Sequence, residues 1–201
     1  MLGIILCGGQ SVRMGKDKGM LKLESRTWAQ TAIDKMAALN VPVKISVNKQ
    51  QHAAYAEVFS ADKLVVDNET LQLKGPLLGL LSCYLSFPLE DFFILACDMP
   101  LMESSLLTLL YNKYTESAGA DAFIFTNENE PEPLCGIYTA DGLAYIINLL
   151  NNGQLTKYSM KFMLDHLTVS TIAANEVQKK CFKNFNAHAE LNARLPGRQG
   201  L

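Results

Sequence analysis

The chain has 201 residues, a length that fits one domain of ordinary size, and nearly half of them are apolar, enough for a sizeable core. A formal net charge of −2 excludes recruitment of a nucleic acid or an anionic membrane by bulk electrostatics, so any anion site has to be local. Five cysteines (Cys7, Cys83, Cys97, Cys135 and Cys181), odd in number and without a CxxC pair, argue against a zinc site and read as small buried residues of a reduced, cytoplasmic protein.

The first element is "LGIIL", a short unbroken apolar run that reads as a buried strand. It carries no basic flank and is too short for a signal peptide or a spanning helix. It ends in "CGGQSVRMGKDK". Gly8 and Gly9 let the backbone approach a ligand with no Cβ in the way. Successive turn amides form an anion-binding nest, and Arg13, Lys16 and Lys18 add positive charge, with Lys18 able to fold back over phosphates. The spacing is neither GxxxxGK[ST] nor GxGxxG, so the segment is neither of those phosphate loops. A lone pair of glycines would be a plain turn; a glycine pair with this much charge, directly behind a strand, reads as a phosphate site.

A helix follows over Arg26 to Leu39, its apolar face holding Trp28, Ala32, Ile33, Met36 and Ala37; Trp28 is expected to pack in the core. "VKISVN" and "KLVVDN" are the second and third strands, with Asn48 and Asp67 at their ends. Asp67 suits loop stabilisation or the reading of a ribose or base. His52, after "NKQQ", reads as a surface residue. Gly75 and Pro76 open a helix that runs to Phe87, proline being well suited to a first helical position. Gly79, Ser82, Tyr84 and Ser86 make this run a buried helix rather than a membrane span.

"FFILACD" is the fourth strand, and its lack of alternation fits a central parallel strand covered on both faces. Asp98 ends it. A carboxylate there is a helix N-cap, a satisfied buried acid or a metal ligand. Beside a basic glycine loop in the same sheet, a hard cation with a polyphosphate is the better explanation, since magnesium binds through one or two carboxylates plus substrate phosphates. A helix over Glu103 to Ser117 comes next, then strands "ADAFIF" and "PLCGIY", separated by "NENEPEP", which reads as an acidic loop. Helices over Ala140 to Asn151 and Tyr158 to His166, an edge strand "TVSTIA", a late strand "CFKNFN" and a frayed tail over 194–201 complete the chain. The three histidines, His52, His166 and His188, form no metal pattern. The layout is α/β with a mainly parallel sheet, and ligands in such sheets bind beyond the carboxyl ends of the strands.

Assembled, these segments resemble the molybdenum cofactor guanylyltransferases, the family of molybdopterin-guanine dinucleotide biosynthesis protein A. "LCGGQSVRMGKDK" is similar to the family motif LAGGxSxRMGxDK, with Cys7 in place of the usual alanine. "GPLLGLLS", "ACDMP" and "EPLCGIY" resemble its GPLAG segment, its metal-binding segment and a later strand beside a substrate-facing loop. The resemblance runs from Leu2 to about Asn192. It departs at "NFNAHAEL", where the family has an NxNTPED-like segment; the two asparagines and Glu190 remain, but the threonine and proline do not.

The resemblance implies a nucleotidyltransferase-type fold, a Rossmann-like three-layer α/β/α sandwich, over a single domain 1–193. It implies transfer of GMP from GTP to the terminal phosphate of molybdenum-molybdopterin, with release of pyrophosphate. Leu6, Cys7, Gly8 and Gly9 are then backbone contacts to the nucleotide, Lys18 and Arg13 hold its phosphates, and Asn48 and Asp67 lie along the guanosine. Asp98 binds Mg2+ and the nucleotide, with Asn186 a weaker candidate beside the metal. Implied partners are GTP, molybdenum-molybdopterin and molybdoenzymes or cofactor-insertion proteins, with no nucleic acid and no membrane. Two other readings are a relative that uses CTP or a sugar-phosphate acceptor, and a nucleotide-binding protein that delivers cofactor without turnover.

Overall fold

The computed structural model describes residues 1–8, 17–23 and 25–185. Gly9, Arg13, Asn186 and the tail at 194–201 lie outside them. The chain alternates strands and helices as β1 (Leu2–Leu6), β2 (Lys22–Leu23), β3 (Arg26–Thr27), α1 (Trp28–Ala37), β4 (Val43–Val47), α2 (His52–Ala56), β5 (Leu64–Val66) and α3 (Pro76–Ser86). There follow β6 (Phe92–Ala96), α4 (Ser104–Glu116), β7 (Ala122–Asn127), β8 (Glu130–Tyr138), α5 (Ala140–Asn151), α6 (Met160–Leu164) and β9 (Val169–Ala173).

Seven strands form one sheet in the order β5-β4-β1-β6-β8-β7-β9, and β2 pairs with β3 in a separate small hairpin. In the large sheet β8 runs against both of its neighbours, while the pairs β4–β5, β1–β4, β1–β6 and β7–β9 are parallel. Side chains alternate across the sheet. Ile5, Cys7, Phe93 and Leu95 join α1 and α4 in one apolar layer. Ile4, Leu6, Phe92 and Ile94 join α3, α5 and α6 in the other. Strand β6 is buried along its whole length, which explains why its sequence lacks a polar face.

The helix expected from Arg26 begins at Trp28. Thr27 keeps an extended backbone, its hydroxyl accepts from the Gln30 amide, and the two residues before the helix pair with β2 instead. The segment "NENEPEP" is not a loop. Glu128 and Asn129 both take left-handed backbone (φ 53° and 65°), the geometry of a two-residue hairpin turn, and β8 starts at Glu130. Pro131 and Pro133 lie beyond Cys135, the last β8 residue paired with β6, so their missing N–H groups break no bond on that side. The late strand "CFKNFN" is also corrected. Lys179–Phe182 form a 3-10 turn, and the consecutive residues Cys181 and Phe182 are both buried, which no alternating strand allows. The expected helix over Tyr158 to His166 is shorter, starting after Ser159, whose hydroxyl accepts from the Phe162 amide.

Register shifts between Ile124 and Phe125, where β7 advances from Gly136 to Glu132 on β8. The residues between form a bulge that brings Leu134 to the sheet's carboxyl edge. Tyr138 fastens it: its fully buried hydroxyl donates to the Pro133 carbonyl at 2.8 Å. Tyr138→Phe keeps the ring but removes this bond, at a cost of about 1 kcal/mol. Urea unfolding should show that loss, and an unchanged midpoint would rule out the fastening role.

Candidate functional site

Because β1, β4, β5 and β6 are parallel neighbours, their carboxyl ends meet at one edge, and Gly8, Asn48, Asp67 and Asp98 stand there together. Two adjoining hollows occupy that edge. The larger, about 370 Å³, is bordered by Gly8, Asn48, Lys49, Asp67, Lys74 and Gly75 among others. The smaller, about 80 Å³, is bordered by Leu6, Cys7, Gly8, Lys18, Asp98 and Leu134 among others. Gly8 belongs to both, so the two form a continuous groove across the end of β1.

Lys18 and Asp98 face each other in the smaller hollow, Nζ to Oδ2 at 3.2 Å, with about a fifth of each side chain exposed. This partner lies 80 residues away in sequence, although Asp17 is the adjacent acid. Asp17 turns aside to accept from the Gly19 amide, the Gln51 amide and the Tyr55 hydroxyl. Asp98 is not a helix cap, since α4 takes Glu103 as its N-cap residue. Its loop is held from behind. The Asp98 carbonyl accepts from the Phe185 amide at 2.9 Å, and Lys35 Nζ donates to the Pro100 carbonyl at 2.6 Å. Phe185 is fully buried against Trp28, which packs in the core as expected.

Asp67 lies in the larger hollow. Ser46 Oγ donates to its Oδ1 at 3.3 Å, and a Cβ on Gly8 would meet its Oδ2 at 3.2 Å. Gly79 makes room for the pair, because a Cβ there would come within 2.6 Å of the Ser46 hydroxyl. The second glycine of "GPLLG" is thus required by space. Burial pushes the Asp67 carboxyl up from 3.8 to about 6; the Ser46 bond opposes this, and Glu69 adds to it. Asn48 and Gln51 exchange two bonds, each backbone amide donating to the other's side-chain oxygen. That reciprocal box starts α2, an element the sequence did not reveal.

Among the described residues no three His, Cys, Asp or Glu side chains group to hold a metal. In the smaller hollow Asp98 offers a single strand-end carboxylate, with Asp67 set apart in the larger one. This fits a hard cation that takes its other oxygens from water and phosphates, and does not fit a protein-caged metal. Cys97 is no nucleophile: its hydrogen bond with Cys7 and its burial hold the thiol well above its usual range. All five cysteines are free and buried. No described helix is long and apolar enough to cross a membrane. Ser46, Gln51, Tyr55, Lys74 and Leu134 are site residues that the sequence did not reveal. Only Gln51 left a trace, as a polar residue three positions beyond Asn48.

The raised Asp67 value sets a pH signature on stability. Below about 4 the carboxyl is protonated in both states and costs nothing. As pH rises towards 6 the unfolded chain ionises first, so stability falls and the loss is complete above about 6. Asp67→Asn removes that loss. Thermal melts should show the variant gaining more, relative to wild type, at pH 7.5 than at pH 4.5; an equal difference at both would contradict the assignment.

A family model for the MobA-like NTP transferase domain matches residues 3–167. A probable molybdenum cofactor guanylyltransferase from Flavobacterium johnsoniae is 28% identical over 188 residues, covering 94% of this chain and 93% of that one. The fold is similar to molybdopterin-guanine dinucleotide biosynthesis protein A from Archaeoglobus fulgidus, with a TM-score of 0.73, 20% identity and 96% of each chain covered. It is also similar to a nucleotidyl transferase from Methanothermobacter thermautotroptrophicus, with a TM-score of 0.69, 16% identity and 96% and 95% covered. With the groove at the ends of its parallel strands, the chain belongs to the MobA-like NTP transferase family and is a nucleotidyltransferase.

Proposed function

We propose that the protein transfers GMP from GTP to the terminal phosphate of molybdenum-molybdopterin, releasing pyrophosphate, with residues 1–193 acting as one nucleotidyltransferase domain in the cytoplasm. The observation that carries this reading is the meeting of Lys18 and Asp98 in one hollow, continuous through Gly8 with a larger hollow that holds Asp67. The larger hollow would take the nucleoside. A carboxylate at Asp67 suits a base that presents N–H donors, as guanine does, and the reported name of the Flavobacterium relative points the same way.

In the reaction the acceptor's phosphate oxygen attacks the α-phosphorus, a new P–O bond forms, and the bond to the bridging oxygen of the β-phosphate breaks as pyrophosphate leaves. The attacking phosphate is already anionic at neutral pH, so no strong base is demanded. The obstacle is repulsion between two anions, and the protein answers it by positioning and by charge. Lys18 would donate to the phosphates, aided by Arg13. The backbone of Leu6, Cys7, Gly8 and Gly9 would lie against the nucleotide, with Asn48 and Asp67 along the guanosine. Asp98 would hold magnesium, with Asn186 beside it; bound there, the ion offsets phosphate charge as a Lewis acid.

Purified protein supplied with molybdenum-loaded molybdopterin should release pyrophosphate from GTP, and turnover with CTP but not GTP would overturn the proposal. Lys18→Ala should weaken GTP binding by about 1.5–3 kcal/mol, the worth of one charged hydrogen bond; unaltered affinity removes it from the phosphate site. Asp98→Asn keeps size and fold but loses the charge a hard cation requires. Activity should fall by most of its value, with far higher magnesium needed. Wild-type turnover with unchanged magnesium dependence would refute the metal role.

A further inference from the structure

Three donors converge on Asp17. Its Oδ1 accepts from the Gly19 amide at 2.9 Å and from the Tyr55 hydroxyl at 3.0 Å, and its Oδ2 accepts from Gln51 Nε2 at 2.6 Å. The Gln51 side-chain amide has two N–H groups and uses both, the second on the Cys7 carbonyl at 3.0 Å. One side chain therefore ties Cys7, the last residue before the glycine pair, to Asp17, which directly precedes Lys18. We infer that Gln51 and Tyr55 are positioning residues: through Asp17 they set the height and direction from which Lys18 reaches Asp98 and the phosphates.

Each part of this arrangement is specific. The Tyr55 ring is fully buried and stacks on Phe59, with centroids 5.8 Å apart, so phenylalanine would satisfy the packing. The hydroxyl is an added polar group in the core, costly unless it finds an acceptor. It finds Asp17. Gly19 shows how closely the three groups are fitted. A Cβ there would lie 2.1 Å from the Tyr55 oxygen and 3.2 Å from Cys7 Sγ, so the position is glycine for want of space. Gln51 itself borders the smaller hollow, and failure of the clamp would tilt the lysine that faces Asp98 there.

The inference rests on the proposed role of Lys18 at the nucleotide phosphates, and a double-mutant cycle separates the two. GTP affinity is measured by calorimetry for wild type, Tyr55→Phe, Lys18→Ala and the double variant. Tyr55→Phe alone should weaken binding about tenfold, the worth of one hydrogen bond to a charged group. In the Lys18→Ala background the same change should cost less than about twofold, because the lysine it positions is gone. An equal factor in both backgrounds means a merely structural role and overturns the inference. Lys18→Ala with wild-type affinity overturns the phosphate role, and the inference with it, by a different signature. Gln51→Met, which keeps length and removes the amide, repeats the cycle should Tyr55→Phe fail to fold; it too must lose its effect when Lys18 is absent.

Discussion

Parallel pairing of β1 with β6, Leu6 opposite Ala96, is the constraint on which the site depends. It places Cys7 beside Cys97, confirmed by the Cys97 amide donating to the Leu6 carbonyl, and delivers the next residues of each strand to the same edge. From there one chain segment supplies Lys18 and the other Asp98. Neither residue could find its partner from local geometry. The burial of β6 between two apolar layers is what keeps that edge in place: to move Asp98, a strand with no exposed side chain would have to slide, and each large side chain there is worth about 1.5–3 kcal/mol of burial.

The carboxylates at this edge have been given different tasks by their surroundings. Asp17 accepts from three donors at 3.0 Å or less and is a structural hub. Asp67 has one long bond from Ser46 and is held above its usual range by burial, so it has acceptor capacity left for a ligand's donors. Asp98 has a lysine within reach and open volume beside it. Hydrogen-bond satisfaction, more than residue type, distinguishes the scaffold acid from those that face the groove.

Much of this was readable in the amino-acid order. Asp67 and Asp98 follow apolar runs, so their placement at strand ends came from those runs alone, and parallel topology then gathered them. Other features depend on contacts distant in sequence. Gln51 precedes and Tyr55 lies within a helix of only five residues, too short to leave a periodic pattern, and their shared partner Asp17 is 34 and 38 residues away in sequence. The prolines of "NENEPEP" carry a local signal against a strand, which the end of pairing with β6 makes harmless. In "CFKNFN" the apolar residues were visible, but whether they alternate or turn was decided by the core they fill.

The bridge made by Gln51 also has a consequence in polymer terms. It fixes the separation between Cys7 and Asp17, two points of the chain tied by a side chain from outside the stretch that joins them. The entropy of closing such a loop rises only with the logarithm of its length, by about 0.6 kcal/mol for each doubling. A change in the number of residues between the two anchors is therefore inexpensive for the fold, while loss of the Gln51 amide releases both anchors at once.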